Sequence, residues 1–144
     1  MSRLAAVVVS LRPRQWVKNL FVFAAVIFSQ NLLTPLVWPA LAAFVIFCGL
    51  SGAVYLINDV ADMERDRLHP VKRLRPVASG DLPKPTAAVL GALLLVASLA
   101  AAFALARPFG LVALAYGALL FACVAVVVFG RRMRSSPRVH SARS

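Results

Sequence analysis

Two stretches without a single charged residue, Ala87 to Ala106 and Phe109 to Gly130, are 20 and 22 residues long and are separated only by Arg107 and Pro108. A helix rises about 1.5 Å per residue, so each stretch is long enough to cross the ~30 Å hydrocarbon core of a bilayer. Pro39 to Ile57 adds 19 more uncharged residues. A weaker candidate, interrupted by Lys18, Asn19, Ser29, Gln30 and Asn31, predicts a shorter first helix from Trp16 to about Gln30, followed by an interfacial turn. With 61% of residues hydrophobic and 15% charged, a soluble globular domain is excluded. The fold class expected is all-α, a polytopic membrane bundle of about four spans near 16–30, 38–58, 86–106 and 109–130, with a basic, disordered tail over 131–144.

The charges orient this bundle. Lys and Arg number four before the first span, none before the second, six in the loop before the third, one before the fourth and five after it. By the positive-inside rule both termini and the long loop are cytoplasmic, in a multi-pass protein of the plasma (inner) membrane. Leu4 to Leu11 is too short for a secretory signal and lacks a small-residue cleavage site, so an interfacial helix is expected there. Cys48 and Cys123 lie within apolar stretches, without metal-ligand spacing, and read as small buried residues. The net charge of +11 is divided among membrane-flanking segments, which argues against nucleic acid as a partner and for contact with the bilayer.

The acids carry more information than the bases. All five, Asp59, Asp62, Glu64, Asp66 and Asp81, fall in one short stretch after the second span. If the helix continues through them, 100° per residue places Asp59, Asp62 and Asp66 within an arc of about 60°. Like charges so close together require protons or cations between them, and a divalent metal is the natural occupant. Mg²⁺ takes carboxylate oxygens and completes its shell with water and substrate phosphates, so this face suits a metal-bound diphosphate. Glu64 points away from that face and is expected to pair with a neighbouring Arg or Lys, while Asn58 offers an amide beside it. A solvated charged loop is the plain alternative; the absence of acids elsewhere in the chain weighs against it.

Downstream, His69-Pro70-Val71-Lys72-Arg73-Leu74-Arg75-Pro76 forms a basic segment able to hold a polyanion from the other side, or simply to touch anionic lipid. His69 reads as a loop residue rather than a catalytic base. Before the first span, Arg12 and Arg14 read as positive-inside charges and Trp16 as an interfacial anchor. Lys18 lies just inside the helix, where a charge is costly, and is a candidate contact for a substrate phosphate.

Asn58-Asp-x-x-Asp62-x-x-x-Asp66 at the end of the second span resembles the first Asp-rich motif of the UbiA superfamily of intramembrane prenyltransferases. More narrowly, Leu11-Arg-Pro-Arg-Gln-Trp-Val-Lys-Asn19, Tyr55-Leu-Ile-Asn-Asp59, Asp66-Arg-x-His-Pro70 and Lys72-Arg-x-Arg-Pro76 resemble its decaprenyl-phosphate phosphoribosyltransferase branch. The resemblance, which covers roughly residues 10 to 120, implies Mg²⁺-dependent transfer of phosphoribosyl from phosphoribosyl pyrophosphate to a polyprenyl phosphate, feeding cell-wall arabinan synthesis. It implies that Asp59, Asp62 and Asp66 hold Mg²⁺, that Arg14, Lys18, Asn58, Lys72, Arg73 and Arg75 bind substrate phosphate, and that the bundle interior houses the polyprenyl chain. No protein nucleophile or base is implied.

The family's bundle has about nine spans and a second Asp-rich motif, whereas no acid follows Asp81 here. Residues 1–130 therefore read as half of a UbiA-type membrane domain, expected to be inactive alone, with a partner supplying the other half as one possibility. A premature stop, a frameshifted reading and a real short protein are the three readings of the missing half. Two other functions also stand: an aromatic prenyltransferase of quinone or haem biosynthesis, and a non-catalytic small membrane protein or partner subunit.

Overall fold

A computed structural model describes residues 1–134, which contain helices and no strand. In chain order the α-helices are α1 (Arg3–Ser10), α2 (Pro13–Trp16), α3 (Phe21–Phe28), α4 (Val37–Ala61), α5 (Met63–Leu68), α6 (Pro76–Ser79), α7 (Lys84–Leu105) and α8 (Arg107–Arg134). Short 3-10 turns occupy Val17–Leu20 and Lys72–Leu74. The fold is a helical membrane bundle in which α4, α7 and α8 are long and apolar enough to cross a bilayer.

Three helices of that length are found among the described residues where about four spans are expected. The difference lies in the segment from Trp16 to Gln30. Its helix tightens into the 3-10 turn at Val17–Leu20 and resumes as α3, whose 8 residues rise only about 12 Å. Asn19 is the cause at one end: it is buried, with its amide donating to Cys48 Sγ at 3.6 Å and accepting from the Tyr116 hydroxyl at 3.2 Å. At the other end Gln30 adopts φ +57, the left-handed conformation that closes a helix, and Asn31 N–H returns to Val26 O at 3.0 Å. Ser29, Asn31 and Thr34 then bond one another and the local backbone, and the chain turns into α4.

Helix α4 is the central element, mostly buried within the chain, whereas α7 and α8 turn most of their apolar surface outward. Without a hydrophobic drive between helices in lipid, close approach depends on small residues. Gly91 of α7 lies against α4 so closely that a Cβ there would sit 2.9 Å from Ile57 Cγ1, and one on Gly49 of α4 would sit 2.6 Å from Ser98 Oγ. Ala87, Ser98 and Ala102 of α7 are buried along the same seam. Helices α7 and α8 are joined by Ala106 alone, in extended conformation, with Pro108 tolerated in the first turn of α8.

At the Asp-rich end, α1 packs with the loop against α4 and α7 through Ala6, Leu56, Met63, Val77, Leu82 and Ala87. A helix is therefore found where Leu4 to Leu11 predicts one. Helix α8 continues to Arg134, past the boundary expected at 130, and the tail from 135 lies outside the described residues. Cys48 is buried as expected, but Cys123 is exposed on α8, because that helix face has no neighbour within the chain.

Replacing Gly91 by Leu is expected to force α4 and α7 apart and cost about 1–3 kcal/mol. A lower thermal midpoint in detergent would show this; an unchanged midpoint would contradict the packing.

Candidate functional site

Asp59, in the last turn of α4, is a buried carboxylate with 2% of its surface exposed. Burying a charge is costly unless it is paired, and two arginines from distant segments pair it. Arg12 Nη2 donates to Asp59 Oδ1 at 2.6 Å, and Arg75 Nη1 donates to the same oxygen at 3.2 Å. Arg75 Nη1 also donates to Asp66 Oδ2 at 2.8 Å, so one guanidinium bridges two carboxylates. The N-terminal segment, α4, α5 and the entry to α6 are thereby held at a single point.

Local backbone places each cation. Arg12 stands between α1 and α2 at φ +52, a left-handed conformation costly for a residue with a Cβ, and its guanidinium stacks over the Tyr55 ring at 4.7 Å. Arg75 is extended because Pro76 follows it, and its side chain turns back onto the acids as α6 begins.

The expectation that one continuous helix carries three carboxylates on a face is corrected at Asp62. There the backbone leaves helical geometry (φ −94, ψ 3), ending α4 and starting α5. Asp59 and Asp66 come together beneath Arg75; Asp62 makes no ion pair among the described residues. Asp62 and Asp66 instead line a cavity of about 180 Å³ with Arg65, His69, Lys72, Val128 and Arg131. Among the described residues, no three acid, His or Cys side chains are preassembled around a metal position. The donor chemistry nevertheless fits Mg²⁺, which is commonly held by one or two carboxylates plus substrate phosphates. Both arginines use Oδ1 of Asp59, and Arg75 uses Oδ2 of Asp66, so each Asp keeps an oxygen free of these bonds.

A second cavity, about 540 Å³, adjoins the first and shares Asp62, Arg65 and Val128 with it. Ile57, Ala61, Phe121, Val124 and Ala125 make much of its wall apolar, and Asn58 and Glu64 add polar groups to it. Charged and apolar spaces thus meet at Asp62, between the end of α4 and α8.

The other expected phosphate contacts divide. Lys72 lines the charged cavity and Asn58 the apolar one. Arg75 is committed to the two carboxylates. Arg14, Lys18 and Arg73 are exposed and are absent from the charged cavity's walls; in the Lys18-Asn19 pair the buried member is Asn19. Glu64 pairs with Arg67 at 3.6 Å, as its position off the acidic face predicts. Sequence reasoning missed Arg12, taken for a topological charge, and Arg65 and Arg131, which counted only as loop and tail bases. Arg65 stands within the acidic motif itself, beside Asp66, whereas tertiary folding alone brings Arg12 and Arg131 to the acids.

The fold and this end of it define a class: helical membrane proteins with an acidic and cationic site at the mouth of the bundle. The UbiA prenyltransferase family pattern matches residues 19–132, and the chain belongs to that family. It is 42% identical over 123 residues to the decaprenyl-phosphate phosphoribosyltransferase of Mycobacterium tuberculosis, covering 82% of this chain and 41% of that protein. It is 45% identical over 95 residues to the protein of the same name in Mycolicibacterium smegmatis, covering 62% of this chain and 30% of the relative. Nodulation protein NoeC of Azorhizobium caulinodans is 39% identical over 74 residues, covering 49% and 23%. The chain spans about two fifths or less of the length of these relatives.

Arg75→Ala leaves buried Asp59 with one partner and Asp66 with none of its ion pairs, and is expected to cost about 3 kcal/mol. Arg75→Lys, a point charge in place of a planar fork, is expected to recover part of the loss. Denaturant unfolding in detergent measures both; equal stability of all three proteins would contradict the bridging role.

Proposed function

We propose that this segment forms the donor-binding half of a UbiA-type transferase site that moves phosphoribosyl from phosphoribosyl pyrophosphate to a polyprenyl phosphate such as decaprenyl phosphate. The observation that carries this is the cavity in which Asp62 and Asp66 face Lys72, Arg65 and Arg131, opening onto an apolar space. Carboxylates and cations around one small space suit a diphosphate that arrives with a divalent metal, and the apolar space suits a prenyl chain.

In the reaction the bond from ribose C1 to the pyrophosphate oxygen breaks, the pyrophosphate leaves with the electron pair, and an oxygen of the acceptor phosphate bonds to C1. Asp62 and Asp66, with Asp59 behind them, would hold Mg²⁺, which supplies positive charge against the leaving pyrophosphate when bound. Lys72, Arg65 and Arg131 hold phosphate oxygens; Asn58, beside Asp62, orients the acceptor. Arg14, Lys18 and Arg73 are assigned to the entry path, where exposed cations attract polyanions. The Asp-rich end is cytoplasmic, both termini with it, in the plasma (inner) membrane. Turnover needs the second acidic motif that the resemblance implies, within the same polypeptide or from a partner, and the product serves cell-wall arabinan synthesis. The likeness to mycobacterial decaprenyl-phosphate phosphoribosyltransferases favours phosphoribosyl transfer over prenylation of an aromatic ring.

Binding of phosphoribosyl pyrophosphate to the full chain in nanodiscs, followed by calorimetry, is expected to require Mg²⁺ and to weaken about tenfold or more in Asp62→Asn and Asp66→Asn. Binding that ignores Mg²⁺ or either substitution would remove the proposal. Competition by a polyprenyl diphosphate, with no effect of phosphoribosyl pyrophosphate, would favour the aromatic prenyltransferase.

A further inference from the structure

His69 is an exposed loop residue whose ring nevertheless has a fixed place. Pro70 follows it, disfavouring helix at His69, which is extended at φ −91 and ψ 133 and ends α5. The next two backbone N–H groups, of Val71 and Lys72, precede the hydrogen-bonded part of the 3-10 turn and turn back onto the ring. Both donate to His69 Nδ1, at 3.2 and 3.3 Å. A ring nitrogen that accepts N–H bonds carries no proton, so the neutral ring's proton lies on Nε2, at the opposite edge. His69 is also one of the residues that line the charged cavity, with Asp62, Asp66, Arg65, Lys72 and Arg131.

We propose that His69 is a neutral hydrogen-bond donor to a diphosphate held in the Asp62–Asp66 cavity, with its Nε2–H aimed by the two backbone amides that occupy Nδ1. The inference rests on the diphosphate reading above and adds to it the residue that orients the ligand. Two carboxylates suit the metal and three cations suit the phosphate charge, but Lys72 is a point charge and the forks of Arg65 and Arg131 stand on long, flexible stems that a turn does not hold. An imidazole N–H set by a closed turn supplies a directed donor without adding to the repulsion among Arg65, Lys72 and Arg131. The competing role is structural: a loop histidine that only closes its own turn.

Two substitutions separate the roles. In His69→Asn the amide oxygen stands near the position of Nδ1 and keeps the turn closed, while the donor at Nε2 is lost. In His69→Gln the amide N–H reaches the position of Nε2, and the acceptor for Val71 and Lys72 is lost. The full chain in nanodiscs is titrated with inorganic pyrophosphate in the presence of Mg²⁺, and the ¹⁵N resonances of its imidazoles are followed alongside. The expected result is pyrophosphate affinity about tenfold weaker in His69→Asn, within about threefold of wild type in His69→Gln, and a shift of the wild-type Nε2 resonance on binding. Wild-type affinity in His69→Asn with loss in His69→Gln would overturn the inference in favour of turn closure, leaving the diphosphate site intact. Equal loss in both variants with a lowered thermal midpoint would also overturn it, as collapse of the loop. Failure of the wild-type chain to bind pyrophosphate with Mg²⁺ would overturn the diphosphate reading and this inference together.

Discussion

A carboxylate buried at the end of a membrane-length helix cannot stand unpaired, and the Asp-rich end of this protein is organised around that constraint. Asp59 draws Arg12 from the N-terminal segment and Arg75 from the far side of the loop, and Arg75 brings Asp66 with it. The pairing sets the path of some 20 residues that would otherwise be a polar connector. It also explains why Arg12 tolerates left-handed backbone: the ion pair and the stack over Tyr55 together hold it there.

With Asp59 paired to protein cations, the break of helix at Asp62 sets the geometry of the candidate site. A straight helix would have kept three carboxylates in one row. With the helix broken at Asp62, that residue and buried Asp66 line the charged cavity with Lys72 and with Arg131 of α8, and Phe121 and Val124 line the apolar one. A charged space and a largely apolar one then adjoin at one carboxylate, the arrangement on which the proposed transferase reading rests. The other large cavity, also about 540 Å³ and lined by Val22, Val26, Pro39, Ala40 and Phe109, lies between the opposite ends of α3, α4 and α8, remote from these charges.

Much of this was legible in the residues. Uncharged runs placed α4, α7 and α8 because span length is a one-dimensional property. The acidic motif pointed to the end of the bundle where the arginine–carboxylate cluster forms, since carboxylates near a bilayer need partners. The short first helix and the turn after it were also readable, but the 3-10 tightening was not: it depends on Asn19 reaching Cys48 and Tyr116, the latter 97 residues away. The 100° projection failed at Asp62 for a related reason, because it assumes helical continuity that the site itself interrupts. Arg12 and Arg131 look like ordinary topological charges until folding sets them against the acids.

The central claim is that Asp62 and Asp66 present a metal-bound diphosphate to the mouth of the apolar cavity. Electron spin-echo spectroscopy of Mn²⁺ in place of Mg²⁺, with pyrophosphate added to the full chain in nanodiscs, tests it directly. The account predicts ³¹P coupling to protein-bound Mn²⁺ that disappears in Asp62→Asn. Bound Mn²⁺ without phosphorus coupling, or coupling unchanged by that substitution, would contradict it.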